Sequence, residues 1–471
     1  MESFEVHGTS VRAWRGNLRL LSVCLGYGED SVSFIRPGIA RMSANHTMTR
    51  PKEPVATDPR VDAVLSRADC AVAIGVSGGK DSQAAALATV AHLDAIGHTG
   101  PRVLIHSDLG FVEWKESLPV CEALARHLGL ELIVVRRAAG GLMERWEARW
   151  ASSVRRYAAL ETVTLVLPWS TPGMRFCTSE LKTQVIGPAL RRRFPGQAIV
   201  NVTGVRREES AARAKMPVAD PDLRGSRPGA EVWNWRPIID WTVAEVFAGI
   251  ARAGLVPHRA YTDFGMTRVS CAFCIMSSGP DLIASTRNPE HADLYRRMVA
   301  LETRSTFGFQ GGRWLADVAP DLLSAPERAA VSEAKERAKI RIAAEKTLPK
   351  DLLYVKGWPT RVPTDAEAAL LASVRRRVCE TVGIEGRFLE PETIRQRYAD
   401  LIAQRELKEH SAKRIRVSAP VAVEPDEEPA PGQGYLARGN RRFTWPRRWK
   451  TAEAAMREVD RQFPYTPKGG T

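Results

Sequence analysis

Ala71-Val72-Ala73-Ile74-Gly75-Val76-Ser77-Gly78-Gly79-Lys80-Asp81-Ser82 joins an apolar, strand-like run (71–76) to a helix-like run (83–93). Its last six residues have the layout of a phosphate-gripping loop. Two adjacent glycines let the backbone approach an anion closely, and the helix that follows directs free N–H groups and a partial positive charge at it. Ser77, Lys80 and Ser82 add donors. Nucleotide chemistry is the first expectation.

Two common nucleotide loops are excluded by single residues. The pattern G-x-x-x-x-G-K-[ST] needs glycine at 74 and a hydroxyl residue at 81, where the chain has Ile74 and Asp81. The dinucleotide pattern G-x-G-x-x-G fails at Ser77, which stands where a second glycine must follow Gly75. What fits is SGGxDS. In this the sequence resembles the PP-loop ATP pyrophosphatases, the adenine nucleotide alpha-hydrolase-like superfamily. The resemblance implies that Ser77, Gly78, Gly79, Lys80, Asp81 and Ser82 hold a pyrophosphate or sulfate-like group, with Lys80 and Asp81 among the catalytic residues. The alternative is a Gly-Gly turn capped by Ser or Asp.

Between about 56 and 310 apolar strands alternate with helices. Runs 71–76, 102–107, 131–135 and 198–203 read as strands, and the alternation predicts a doubly wound, mostly parallel α/β sheet. Residues 1–55 read as a poorly ordered extension, and Met42 and Met48 lie just before the first helical pattern, Pro59–Ala68, so residues 1–41 are expected to be non-native or disordered. Residues 311–415 read as a helical extension, 416–434 as a disordered linker rich in Pro, Glu and Ala, and 435–471 as a basic aromatic tail.

The chain has 471 residues, enough for two or three structural units, with a formal net charge of +14. That excess implies attraction to polyanions, most naturally nucleotide or nucleic acid, though free use of arginine would give the same balance. No segment approaches the roughly 18–20 uninterrupted apolar residues of a membrane span. Seven cysteines do not read as a disulfide framework, and a reducing cytoplasm is expected.

Strand ends carry the remaining signals, because open α/β sheets bind ligands beyond the carboxyl ends of their strands. The second strand ends in Asp108, a candidate ribose or metal contact by resemblance to phosphoadenylyl-sulfate (PAPS) reductases, or else a helix N-cap. Thr203-Gly204-Val205-Arg206-Arg207-Glu208-Glu209-Ser210 is similar to that family's TGxRxxES element. It makes Gly204, Arg206 and Arg213 candidate nucleotide contacts, the arginines as anion ligands. Trp235-Arg236-Pro237-Ile238-Ile239-Asp240-Trp241 resembles the family's W-x-P-I-x-x-W segment and is expected to pack.

Cys271 and Cys274 form a C-x-x-C pair, and Cys177 lies in Arg175-Phe176-Cys177-Thr178-Ser179-Glu180-Leu181-Lys182, similar to the RxCTxxLK element of DNA phosphorothioation sulfurtransferases. If the three thiols converge, they hold a [4Fe–4S] cluster, a structural zinc, or act as a redox trio. Cys177 is also a candidate catalytic residue. Cys24, Cys70, Cys121 and Cys379 lack motif context and are expected to be small buried hydrophobes. The chain departs from assimilatory PAPS reductases in having no cysteine in its last residues, and from adenylyl-sulfate reductases in having a single Cys177 rather than a double cysteine.

Three functions are carried forward. The first is an ATP-dependent enzyme that adenylates an acceptor, releases pyrophosphate with the help of Mg²⁺, and permits sulfur transfer, with DNA or tRNA as the acceptor and a sulfur donor or reductant protein as partner. The second is a sulfonucleotide reductase that releases sulfite. The third is a non-catalytic nucleotide- or DNA-binding protein of a mobile element. For binding nucleic acid, Arg438–Lys450 interleaves six basic residues with Phe443, Trp445 and Trp449.

Overall fold

The computed structural model describes residues 54–418 except 228 and 229, together with strands at 2–6, 9–13, 32–35, 421–423, 434–438 and 441–445. The chain divides into two compact units, Met1–Arg155 with Leu165–Ile342, and Arg156–Thr164 with Ala343–Thr471.

In the first unit β1 (Glu2–Val6) and β2 (Thr9–Ala13) form an antiparallel pair. β3 (Val32–Ile35), β4 (Ala71–Gly75), β5 (Arg102–Asp108), β6 (Glu131–Arg136), β7 (Ile199–Val202), β8 (Ala219–Pro221) and β9 (Val232–Trp235) build one sheet in the order β3-β6-β5-β4-β7-β9-β8. β6, β5, β4, β7 and β9 are parallel, and β3 and β8 close the edges antiparallel. The mostly parallel, doubly wound α/β sheet is therefore present. Residues 32–35, which the sequence placed in a poorly ordered extension, pair with β6 and form an edge strand. A short apolar run with no flanking pattern gave no sign of that long-range pairing.

Helices cover both faces, because β4 buries side chains on both. α1 (Pro59–Leu65), α2 (Lys80–Ala95) and α3 (Ser117–Leu128) lie over one face, where Val61, Leu65, Val90, Leu93 and Leu124 meet Val72, Ile74 and Val200. α4 (Leu142–Ala158), the short turn α5 (Phe176–Thr178) and α6 (Gln184–Arg193) follow β6, and α6 covers the other face through Val185, Ala189 and Leu190. α7 (Ala211–Ala214) follows β7. α8 (Val243–Arg252) packs Val246 and Ile250, with Ile238 and Trp241, against the alanines of α2, so the WxPIxxW segment does pack. α9 (Arg259–Thr262), α10 (Gly279–Thr286), α11 (Ala292–Ser305) and most of α12 (Ala325–Glu345) complete the unit.

In the second unit α13 (Asp365–Val382) packs on α14 (Pro391–Ser418), so helices follow the sheet domain. Arg375, fully buried, lies 4.7 Å over the Tyr157 ring and donates to the carbonyls of Arg387 (2.7 Å) and Phe388 (3.1 Å). Strands β10 (Val421–Val423), β11 (Gly434–Arg438) and β12 (Arg441–Trp445) form a small antiparallel sheet. Most of the stretch read as linker and basic tail lies outside the described residues, as do residues 14–31 and 36–53. Among the described residues no helix is long and apolar enough to cross a membrane.

Candidate functional site

The strand order reverses around β4. The chain builds β4, β5 and β6 outward to one side and then returns to place β7 against the other side of β4. Such a switch point leaves a crevice beyond the carboxyl ends of the two central strands, and the Ser77–Ser82 loop and the Gly204 turn border it.

The loop starts α2 with Gly79 as N-cap. Gly78 has φ +74°, and a Cβ on it would lie 2.9 Å from the Ser117 backbone, so both conformation and space require glycine. Ser82 Oγ accepts from the Ser77 amide (3.2 Å) and donates to the Gly79 carbonyl (2.8 Å), holding the turn closed. Gln83 Nε2 donates to the Gly78 carbonyl (3.1 Å). The amides of Gly78 and Gly79 donate to no group among the described residues. They are the donors a bound oxyanion would meet at this helix start.

The charged loop residues are turned inward. Lys80, 3% exposed, donates from Nζ to Asp81 Oδ2 (3.1 Å) and the Thr267 carbonyl (3.3 Å) and lies 5.2 Å over the Tyr261 ring. Arg206, also 3% exposed, donates from Nε to Asp81 Oδ1 (2.6 Å) and from Nη1 to Glu208 Oε2 (2.5 Å) and the Trp241 carbonyl (3.2 Å). Burial pulls the Arg206 pKa down, but Asp81, Glu208 and Glu209 outweigh it and hold the guanidinium charged. Lys80 and Arg206, expected to face an anion, thus share Asp81 behind the loop. Gly204 stands where these turns touch, and a Cβ there would meet the Asp81 carbonyl at 2.4 Å.

Arg213, on α7, pairs with Glu209, and Ser210 caps that helix by accepting from the Arg213 amide. Asp108 accepts from the Gly110 amide (2.7 Å) in its own turn and lies 3.6 Å from Arg136, closer to its capping alternative than to a free ligand.

A segment sequence reading missed supports the loop from the other side. Tyr261 Oη accepts from the amides of Lys80 (3.1 Å) and Val269 (3.2 Å). Asp281, buried, accepts from the Thr267 amide and hydroxyl (both 2.8 Å). Below the loop, His106 faces acceptors at both ring nitrogens, the Val76 carbonyl at 3.0 Å and Glu113 Oε2 at 3.2 Å. Burial opposes its charge, yet contacts with Cys121 and Glu113 push its pKa up to about 11, so it is an imidazolium. His258, fully buried behind Gly78, is pushed the other way to about 4 by burial.

A cavity of about 510 Å³ opens from Gly75, Val76 and Ser77 along the sheet face beneath α6, within the size range of small-molecule sites. Its walls include Ser107, Asn201, Thr203 and Asn234 from the strands and Thr183 and Ile186 from the α6 side. Lys182, Arg191 and Arg224 line it without a carboxylate partner among the described residues. The RxCTxxLK element reaches the cavity through Lys182, not through its cysteine.

The six described cysteines are free. Cys271 is buried, and its thiol is pushed well up by burial first and then by Cys274, with Lys182 pulling the other way and Glu113 and Cys177 adding to the rise. Cys177 and Cys274 are half-buried, and Cys274 Sγ accepts from the Met276 amide at 3.4 Å. The three thiols therefore lie in one neighbourhood. Among the described residues, however, no group of three or more His, Cys, Asp or Glu is arranged to hold a metal ion. Cys70, Cys121 and Cys379 are buried, as small hydrophobes should be; Cys24 lies outside the described residues.

Residues 71–277 match the family model described as the phosphoadenosine phosphosulfate reductase domain. An uncharacterised 37.8 kDa protein from the gpa 5′ region of Escherichia phage 186 is 28% identical over 241 residues, 44% of this chain and 68% of that protein. The crystal structure of a PAPS reductase from Candida auris, a phosphate complex, aligns over 45% of this chain and 85% of its own at 14% identity, with a TM-score of 0.28, too low to bear on fold or site. The segment that holds the switch-point loop, the cavity and all three motif cysteines is thus the segment, residues 71–277, that is similar to the phosphoadenosine phosphosulfate reductase domain.

Proposed function

We propose that the chain is an adenine-nucleotide enzyme whose cavity takes the nucleoside and whose Ser77–Ser82 loop takes the oxyanion at its far end. The observation that carries this reading is the unpaired charge: Lys182, Arg191 and Arg224 line one cavity that opens at Ser77, beside the unbonded amides of Gly78 and Gly79. Cations without carboxylate partners around a concave site favour a polyanionic ligand.

In the leading version the ligand is ATP. An acceptor oxygen attacks the α-phosphorus and the bond to pyrophosphate breaks, with the leaving charge met by the loop amides. A sulfur nucleophile from a donor protein then displaces AMP from the adenylated acceptor. Asp81, Lys80 and Arg206 keep the loop in shape, and Cys177 is the proposed thiol nearest the reacting centre. DNA or tRNA is the proposed acceptor and the cytoplasm the proposed compartment, given the net charge of +14 and the free cysteines. The family match favours a second version, in which the loop grips the sulfate of a sulfonucleotide and sulfite is released to an external reductant.

Incubation with ATP, a sulfide donor and DNA or tRNA should yield AMP and pyrophosphate in equal amounts. Sulfite released from PAPS or adenylyl sulfate in the presence of thioredoxin, with no pyrophosphate from ATP, would establish the second version. Neither product from either substrate would leave the chain a binding protein.

A further inference from the structure

Three polar side chains stand in line across β7, β9 and β8. Asn201 is in register with Asn234, and Asn234 with Asp220, so all three project from one face of the sheet. Asn201 and Asn234 line the cavity. Asn201 Nδ2 donates to Asn234 Oδ1 at 3.2 Å, and Asn234 Nδ2 donates to Asp220 Oδ2 at 3.2 Å. Asp220 is anchored in turn by buried Arg236, whose Nη2 lies 2.5 Å from its other oxygen and whose Nη1 donates to the Pro217 carbonyl.

The direction of this chain is fixed by chemistry. A carboxylate paired with a guanidinium only accepts hydrogen bonds, so Asn234 must turn its NH₂ toward Asp220. Its carbonyl then faces Asn201, which must turn its own NH₂ toward Asn234. The amide of Asn201 is thereby left with its carbonyl oxygen outward. That oxygen makes no hydrogen bond among the described residues and is not sealed from solvent. The ion pair at one sheet edge thus dictates an acceptor on the cavity wall two strands away.

We infer that Asn201 reads the exocyclic amine of the purine, selecting adenine over bases that carry a carbonyl at the same position. This deepens the proposed function and rests on a nucleoside occupying the cavity. An amino group at C6 donates to Asn201 Oδ1, whereas a C6 carbonyl would set two acceptors against each other. The relay prevents Asn201 from turning its amide to accommodate the carbonyl. One hydrogen bond exchanged for an acceptor clash is worth about tenfold to a hundredfold in affinity.

The test is calorimetric titration of the full chain with two pairs that differ only at C6, ATP with ITP and AMP with IMP. The wild type should prefer the adenine member of each pair by about tenfold or more. Asn201→Ala should lose that preference chiefly by weaker adenine binding. Asn234→Ala, which leaves Asn201 in place but frees its amide to rotate, should lose it chiefly by stronger hypoxanthine binding, and a merely structural role would not produce this. Thermal unfolding of both variants checks folding, and Asn201→Ser, which keeps an oxygen at the position, should restore part of the preference. Equal binding of both members by the wild type, or an equal loss for both in Asn201→Ala, overturns the inference and leaves the proposed function standing. No binding of any of the four by the wild type overturns both.

Discussion

Arg206 Nε donates to Asp81 Oδ1 at 2.6 Å across 125 positions of sequence, and this bond fastens the turn after β7 to the first turn of α2. Arg206 is almost wholly buried while Asp81 is partly exposed, so the pair is neither a surface ion pair nor a sealed one. Arg206→Met should strand Asp81 and Glu208 and lower unfolding stability by about 2–4 kcal/mol, somewhat under the range for fully buried pairs. Urea denaturation of Arg206→Met, Asp81→Asn and the double variant gives the coupling. A loss below about 0.5 kcal/mol for Arg206→Met, the level of a surface pair, would return Arg206 to the role of an exposed anion ligand.

Gly204 and Gly78 should fail differently when a methyl group is added. Gly204→Ala collides with the Asp81 carbonyl at 2.4 Å and must push the loop away, so nucleotide affinity should fall by about tenfold or more with a modest change in melting temperature. Gly78→Ala adds a left-handed backbone to a 2.9 Å contact and should cost about 1–3 kcal/mol of stability as well. Parallel titrations and thermal melts separate the two. Unchanged affinity in Gly204→Ala would mean that the loop does not hold the ligand.

The buried imidazolium of His106 makes stability fall with rising pH. Its folded pKa is about 11, above the ordinary value of 6.5, so its contribution is complete below about pH 6.5 and is lost as pH rises toward 11. Over that window each pH unit removes up to about 1.4 kcal/mol, since the unfolded chain has released a proton that the folded one keeps. His106→Gln should therefore be less stable than wild type at pH 7, and the gap should narrow steadily to pH 10 without closing. Urea midpoints at the two pH values check this, and a gap that stays constant would show a neutral His106.

Thiol reactivity should separate the three motif cysteines. In a Cys24→Ser background under native conditions, half-buried Cys177 and Cys274 should react with a disulfide reagent first. Buried Cys271, its thiol pushed well up, should follow slowly with Cys70, pushed up to about 12 by burial. Protection of Cys177 and Cys274 that a chelator relieves would show that they hold a metal after all.

Removing the cavity cations should weaken nucleotide binding in a salt-dependent way. Lys182→Ala, Arg191→Ala and Arg224→Ala should each reduce ATP affinity by about three- to tenfold at low salt and by less at high salt, because partly exposed charges are screened. Titrations at two ionic strengths measure it. Affinity insensitive to all three would move the nucleotide out of this cavity.

What could be read from the sequence was what neighbouring residues decide. The apolar runs of β4, β5, β6 and β7 announced a parallel sheet, and SGGKDS announced the loop. β3, β8 and β9 escaped because they are short, and two of them pair antiparallel at an edge. Arg206 looked like a phosphate ligand because nothing near it in sequence hints at Asp81. The C-x-x-C spacing and the RxCTxxLK resemblance raised the convergence of three thiols as a possibility but could not give their mutual geometry. Asn201 and Asn234 become a unit only through strand register, although a single asparagine inside Ile199-Val200-Asn201-Val202 and inside Val232-Trp233-Asn234-Trp235 was a signal that could have been followed.

The segment from Tyr261 to Cys274 touches the loop at Lys80 and then runs on to the C-x-x-C pair, where the backbone of Cys271 pairs with that of Glu113, whose carboxylate holds His106. One strip of backbone thus contacts both the loop and the buried thiol. Any free energy by which a bound nucleotide alters the reactivity of that thiol must be returned in full as a change of nucleotide affinity when the thiol is modified.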